Sequence, residues 1–165
     1  MANEGAGGSV AGGSVGRVRA ALAAAGHPDT VTVFPVGTRT AAEAAAAVGC
    51  TVAQIAKSIV FRSGSRAVLV ITSGANRVDP ALVSTHLGVP IDRADAAFVR
   101  DATGFAIGGV APVGHLSPPL VLIDADLLAL DPIFAAAGSP SHVFRTTAAD
   151  LARISGGQVA QVKAA

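Results

Sequence analysis

The residues able to do chemistry are few, and they form no familiar catalytic set. From Phe105 to Pro118 the chain reads FAIGGVAPVGHLSP, with His115 as its single ionisable group. Glycine lets a backbone turn sharply and lets a ligand approach closely, and Pro112 restricts the exit of the loop. A loop running Gly108, Gly109, Val110, Ala111, Pro112 can aim several N–H groups at one point. A carbonyl oxygen gaining negative charge would be stabilised there. The same residues also read as a plain turn or bulge. The loop lacks the Gly-Lys-Ser/Thr ending of a phosphate-binding loop, and its spacing does not fit a dinucleotide fingerprint.

Lys57 is the second anomaly. The chain carries ten Arg and two Lys, and Lys57 alone lies inside an apolar segment, VAQIAKSIVF. It is either a packed stem with a solvated head or a partly buried ammonium facing a pocket, where it would hold an anion or a polarised carbonyl. Thr72, Ser73, Asn76, Arg77 and Asp79 form a polar cluster after an apolar run. They could line a pocket mouth or merely close a hairpin.

No metal spacing links His115 to His142, so no metal site is expected. His27, in the turn GHP, reads as a surface residue, and His86 as a helix residue without a catalytic role. No nucleophile elbow accompanies a Ser-His-Asp order, and Cys50 has no adjacent base.

These residues need elements to hold them. Residues 1–13 are rich in Gly, Ala and Ser and read as a flexible tail, with one domain over 14–165. Ser14 can cap a helix with apolar positions at Val15, Val18 and Leu22, stopped by Gly26. VTVFPV, 31–36, reads as a strand that Pro35 ends early. Thr40 and Glu43 make a capping-box pattern ahead of an Ala-rich helix ending at Gly49. Ser58–Arg62 and Ala67–Thr72 read as a hairpin across SGSR. Helices are expected at 79–87, with Pro80 in the first turn, and at 93–101. Further strands are expected at 105–107, 120–124, 133–137 and 141–146, then a helix at 147–154 and a last strand at 158–162. Short strands and short helices mix without regular alternation, which argues for an α+β (mixed α/β) domain over a doubly wound sheet.

Composition removes whole classes of function. Hydrophobic residues make up 51% and charged residues 14%, enough for a compact core without metal or disulfide staples. The net charge of +1 comes without a basic block of the general nucleic-acid-binding kind. Tyr and Trp are absent, so extended base stacking is poorly supported. The single cysteine forms no internal disulfide. The N-terminus has no secretory pattern, and no apolar run reaches membrane-spanning length. The expectation is a soluble, cytoplasmic protein.

Five blocks in order, IAKSIVF, VLVITSGANRVD, ATGFAIGGVAPVGH, VLIDADL and AAAGSPSHVFRTTAADL, resemble the YbaK/EbsC-type proteins, the prolyl-tRNA synthetase-associated editing domain family. The match runs from about Val31 to Ile154. It implies a single domain around a curved, barrel-like mixed sheet surrounded by short helices. It also implies hydrolysis of wrongly charged tRNA in trans, without a cofactor. Lys57 matches the family's pocket lysine, Gly108 to Pro112 its G-x-x-x-P loop, and His142 a region where some alanine-specific members carry a functional His. Catalysis is thus expected from Lys57, Gly108, Gly109, Val110, Ala111 and Pro112. Substrate contacts are expected from Thr72, Ser73, Asn76, Asp79, Thr103, Gly104, His115 and His142. The implied partners are the 3′ end of a mischarged tRNA and a prolyl-tRNA synthetase, with Cys-tRNA(Pro) ahead of Ala-tRNA(Pro) as substrate. A module of the same fold that binds a tRNA end, a nucleotide or a protein without catalysis is the alternative.

Overall fold

The computed structural model describes residues 6–34 and 40–165, with side chains from Gly13 onward. Its centre is a hairpin. β2 (Ile55–Ser63) and β3 (Arg66–Ser73) pair antiparallel with Ser63 opposite Arg66, so Gly64 and Ser65 form a two-residue turn. Gly64 has φ +61° and Ser65 does not have positive φ, which is the type II′ geometry that suits strand twist. Val68, Leu69, Val70 and Ile71 of β3 are all fully buried. A strand apolar on both faces must be central and covered from both sides.

The other strands are β1 (Thr32–Val33), β4 (Asp92–Arg93), β5 (Leu120–Asp124), β6 (Ile133–Ala136), β7 (His142–Thr146) and β8 (Gln158–Ala160). They complete an eight-stranded mixed sheet in the order β1-β7-β6-β2-β3-β5-β8, with β4 beside β2. The pairs β2–β6, β3–β5 and β5–β8 are parallel. The expected mixed α/β class holds, but the sheet stays open instead of closing into a barrel. Its end strands have two and three residues, too few for a closing ladder.

Among the described residues five α-helices accompany the sheet: α1 (Ala6–Ala24), α2 (Ala41–Val48), α3 (Pro80–Leu87), α4 (Ala96–Thr103) and α5 (Ala148–Ser155). The larger core joins Val18 and Leu22 of α1, Val99 of α4 and Leu151 of α5 to Leu69 and Ile71. The smaller joins Val83 of α3 to Val68, Val70, Leu122 and Val162. Thr40 and Glu43 form the capping box of α2, and Asp79 caps α3 with Pro80 at its first position.

Several expectations need correction. α1 begins at Ala6, inside the expected tail, and the Ser14 hydroxyl donates to Gly138 O at 2.7 Å instead of capping the helix. The helix expected at 93–101 runs Ala96–Thr103, because Asp95 Oδ1 accepts from Phe98 N–H while Asp92 and Arg93 pair with β2. Residues 105–107 form no strand: Thr103 Oγ1 captures the Phe105 N–H, and a turn bonds Gly109 N–H to Ala106 O. His27 is buried, with Nε2 2.9 Å from Thr146 Oγ1 and its ring edge-on to Phe144. Pro35 and the end of the expected 31–36 strand lie outside the described residues.

Candidate functional site

Three segments distant in sequence enclose a cavity of about 280 Å³. β2 contributes Ile55, Lys57 and Ile59. The loop after α4 contributes Ile107, Gly108 and Val110. β6, β7 and the turn between them contribute Phe134, Ala135, Ser139, Pro140 and His142. Phe34 and Ala44 complete the wall. The lining is mostly apolar with a few polar groups set among it, the composition of a small-molecule site.

Lys57 lies in the middle of the sheet, opposite Thr72 in the β2–β3 register. Its backbone is fixed by that ladder, and its ammonium has no carboxylate partner among the described residues. A cation facing a cavity without a counter-ion is available to an anionic or carbonyl oxygen.

The glycine loop supplies donors. The Gly109 N–H is used within the turn, but the amides of Gly108, Val110 and Ala111 donate to no acceptor among the described residues. Val110 and Ala111 are buried. Buried N–H groups are nearly always paired, so open ones beside a cavity favour an incoming acceptor. Gly108 has φ +92°, a conformation that side chains resist. Gly109 is required for a different reason. A Cβ there would lie 2.8 Å from Ser139 Cα, so this loop packs directly on the backbone of the β6–β7 turn.

That turn presents a second polar pair. Ser139 Oγ lies 2.6 Å from His142 Nδ1, accepts from Ser141 N–H at 3.1 Å and is 3.2 Å from Ser141 Oγ. Partial burial, then the positive charge of Arg19, hold the His142 pKa below the ordinary imidazole value. A neutral imidazole is the form able to take a proton.

Of the residues singled out from sequence, Lys57, Gly108, Val110 and His142 line the cavity, with Gly109 packed behind them. The others serve the frame. Asp124 is a buried carboxylate that accepts from Thr72 Oγ1, Ser73 N–H and Asn76 Nδ2 at 2.8–3.0 Å, and from Asp126 N–H. Burial alone would raise its pKa, but these hydrogen bonds outweigh burial and hold it below the usual carboxylate value. Thr72, Ser73 and Asn76 thus surround a buried charge and do not reach the cavity, and Asp79 caps α3.

Thr103 is fully buried at the end of α4, where its hydroxyl bonds Val99 O and Phe105 N–H. Gly104 ends α4 with φ +81°. His115 Nε2 lies 2.6 Å from Ala111 O, holding the loop from behind. Ala111 and Pro112 are buried and do not line the cavity. Sequence reasoning missed Ser139 as a partner of His142. The spacing Ser139-x-x-His142 was its signal, visible only once the turn brings i and i+3 together. Phe34 and Phe134 had no signal beyond being aromatic.

Among the described residues no helix is long and apolar enough to cross a membrane, and no cluster of His, Cys, Asp and Glu could hold a metal ion.

Comparison with known proteins gives a consistent outcome. Residues 36–154 match the family described as aminoacyl-tRNA editing domain. The uncharacterized protein YwhH of Bacillus subtilis (strain 168) is 30% identical over 126 residues, which is 76% of this chain and 80% of that protein. A crystal structure of a candidate trans-editing enzyme for prolyl tRNA synthetase superposes with a TM-score of 0.87 at 44% identity, covering 92% of this chain and 98% of the other. The crystal structure of hypothetical protein APE2540 superposes with a TM-score of 0.83 at 26% identity, covering 90% and 99%.

Proposed function

The chain belongs to the aminoacyl-tRNA editing domain family, and from that premise we propose that it hydrolyses, in trans, the ester joining a small mischarged amino acid to the 3′ end of a tRNA. One observation carries the reading. The ammonium of Lys57 and the amides of Gly108 and Val110, all without a partner among the described residues, and the imidazole of His142 border the same small cavity.

An aminoacyl ester is already activated, so water suffices as the nucleophile. The water oxygen bonds to the ester carbonyl carbon while its proton passes to His142. Ser139 Oγ can accept from Nδ1–H, which leaves Nε2 with the free lone pair. The carbonyl electrons move onto oxygen, and the oxyanion receives the Gly108 and Val110 amides. One such donor is typically worth about 3 kcal/mol in the transition state. The bond from carbon to the ribose oxygen then breaks, and that oxygen takes the proton from His142. Free amino acid and uncharged tRNA leave. Lys57 holds the ester or the terminal nucleotide in place, a positioning role. No protein nucleophile is required.

The substrate we favour is Cys-tRNA(Pro), with Ala-tRNA(Pro) next. The near-neutral net charge of +1 supports weak capture of tRNA by this chain alone, and a prolyl-tRNA synthetase in the cytoplasm would supply the rest. The test is deacylation of Cys-, Ala-, Ser- and Pro-charged tRNA(Pro) by the wild type and by Lys57→Ala. Turnover of one mischarged species, lost in the variant and absent with Pro-tRNA(Pro), is the expected result. A folded wild type that turns over none of them overturns the assignment in favour of a non-catalytic module for a tRNA end.

A further inference from the structure

α1 reaches the glycine loop through one side chain. Arg17 Nη2 donates to Gly104 O at 2.9 Å, and Arg17 Nε donates to Gly114 O at 3.1 Å. Those carbonyls stand at the two ends of the segment that carries Gly108 to Pro112. The guanidinium carbon also lies 4.9 Å from the centroid of the Phe105 ring. Phe105 in turn meets the His115 ring edge-on at 5.2 Å, and His115 Nε2 bonds Ala111 O. A continuous run of contacts leads from Arg17 to the middle of the loop.

The surroundings fit this arrangement. Arg17 has no carboxylate partner among the described residues, so its charge is directed at two carbonyls and one ring face. Both carbonyls belong to glycines in the left-handed region. A Cβ on Gly104 would lie 2.5 Å from Arg17 Nη2, and one on Gly114 would lie 3.2 Å from Arg17 O. The guanidinium therefore sits where a side chain on Gly104 would be, and the α1 backbone at Arg17 packs close to Gly114 because that position lacks one. A planar guanidinium fork presents donors at a fixed spacing that can match two fixed acceptors, whereas an ammonium offers its three donors from a single point.

We infer that Arg17 is a positioning residue: it clamps both ends of the 104–114 segment so that the open amides of the glycine loop are held beside the cavity. The catalytic consequence rests on the deacylase reading above, whereas the clamp itself does not.

The experiment compares wild type, Arg17→Lys and Arg17→Met in three measurements. Amide hydrogen exchange is followed at Gly109, Leu116 and Ser117, whose N–H groups close the loop onto Ala106, Thr103 and Ala102, with the β3 amides as the internal standard. Thermal melting controls for folding. Where the wild type deacylates a mischarged tRNA, kcat and KM are measured on it. Arg17→Met is expected to exchange about tenfold faster at those three amides and to leave β3 unchanged. Its kcat should fall about ten- to a hundredfold, the scale of an ångström-sized misplacement, with KM within about twofold. Arg17→Lys should fall between.

Unchanged exchange at the three amides overturns the clamp. So does acceleration spread equally into β3, which would mean general loosening of the fold. Faster loop exchange with wild-type kcat overturns the positioning role. If the wild type deacylates nothing, the exchange data alone decide: selective acceleration upholds the clamp while the deacylase reading falls.

Discussion

Adding one methyl group at Gly109 tests whether the two halves of the cavity must touch. The new Cβ would lie 2.8 Å from Ser139 Cα, 3.0 Å from Ser139 C and 3.1 Å from Ser139 N. All three are backbone atoms, so no rotamer change relieves the overlap. Carbon atoms rest about 3.5–4.0 Å apart, so the loops must separate by roughly 0.7–1.2 Å. One loop carries the Gly108 and Val110 amides and the other carries Ser139 and His142. A displacement of about 1 Å in a catalytic constellation costs on the order of a hundredfold in rate. Overpacking of this kind costs about 1–3 kcal/mol in stability, or roughly 2–4 °C in Tm for each kcal/mol in a domain of this size. The φ of Gly109 lies outside the left-handed region, so alanine is otherwise compatible with the backbone.

The assay is single-turnover deacylation beside a thermal melt, with Gly16→Ala as the control. Gly16 sits in α1 with nothing within 4 Å of its would-be Cβ. Alanine there should raise stability by up to about 1 kcal/mol through helix propensity and leave the rate alone. A Gly109→Ala protein that melts a few degrees lower yet turns over at the wild-type rate would refute the claim that contact between the loops sets the geometry.

Other outcomes follow from individual groups. Lys57→Met should lower kcat/KM by about ten- to a hundredfold, the worth of a charged hydrogen bond, with little change in Tm because no ion pair is lost. For the general-base role, kcat/KM should fall as pH drops through the His142 pKa, which burial and Arg19 hold below 6.5; a plateau is expected by pH 7, and His142→Ala should lose the acid limb. Burial also lowers the His115 pKa from 6.5, with Arg17 adding to it against the Ala111 hydrogen bond. The unfolded chain therefore takes up this proton before the folded one does, and stability falls as pH drops below about 6.5. His115→Gln keeps a donor for Ala111 O without titrating, so Tm measured from pH 7 to 5 should depend less on pH than in the wild type. Asp124→Asn places an amide among groups that all donate to it, and equilibrium unfolding in urea should show a loss of about 2–4 kcal/mol.

What could be read from the chain depended on whether the signal was local. The capping box at Thr40 and Glu43, Asp79 before Pro80, and the Gly64-Ser65 turn are fixed by neighbours in sequence, and the structure has each of them. Lys57, Gly108 and His142 stood out through residue type and resemblance, and the fold brings them to one cavity. The signals that misled share a cause. Phe105–Ile107 is apolar enough for a strand, but Thr103 takes the Phe105 amide and the turn closes on Ala106. Thr72, Ser73 and Asn76 look like a pocket mouth because polar residues after a strand often are. Their partner is Asp124, which sits on β5 beside β3, so the cluster becomes a buried network through a pairing no local pattern announces. The GHP turn points to a surface position for His27, and only the placement of β7 shows that Thr146 and Phe144 enclose it.

The same division explains why the site looks so unremarkable in composition. Apart from the Lys57 ammonium, its open donors are main-chain amides, and an amide has no residue type. What the sequence must encode is the shape that leaves those amides unpaired, and glycine encodes it by what it lacks. Gly108 permits a positive φ, Gly109 permits contact with Ser139, Gly104 leaves room for the Arg17 guanidinium, and Gly114 lets the α1 backbone at Arg17 pack close. Each would be damaged by a single methyl group, for a different physical reason. Side chains that touch the cavity can change with the ester to be recognised, whereas these four backbone positions have no substitute among the side-chain-bearing residues. On the deacylase reading, discrimination between small amino acids should therefore reside in wall residues such as Ile55, Phe134 and Ala135, where one methylene is worth about 1–3 kcal/mol, and the placing of the oxyanion donors should reside in the glycines.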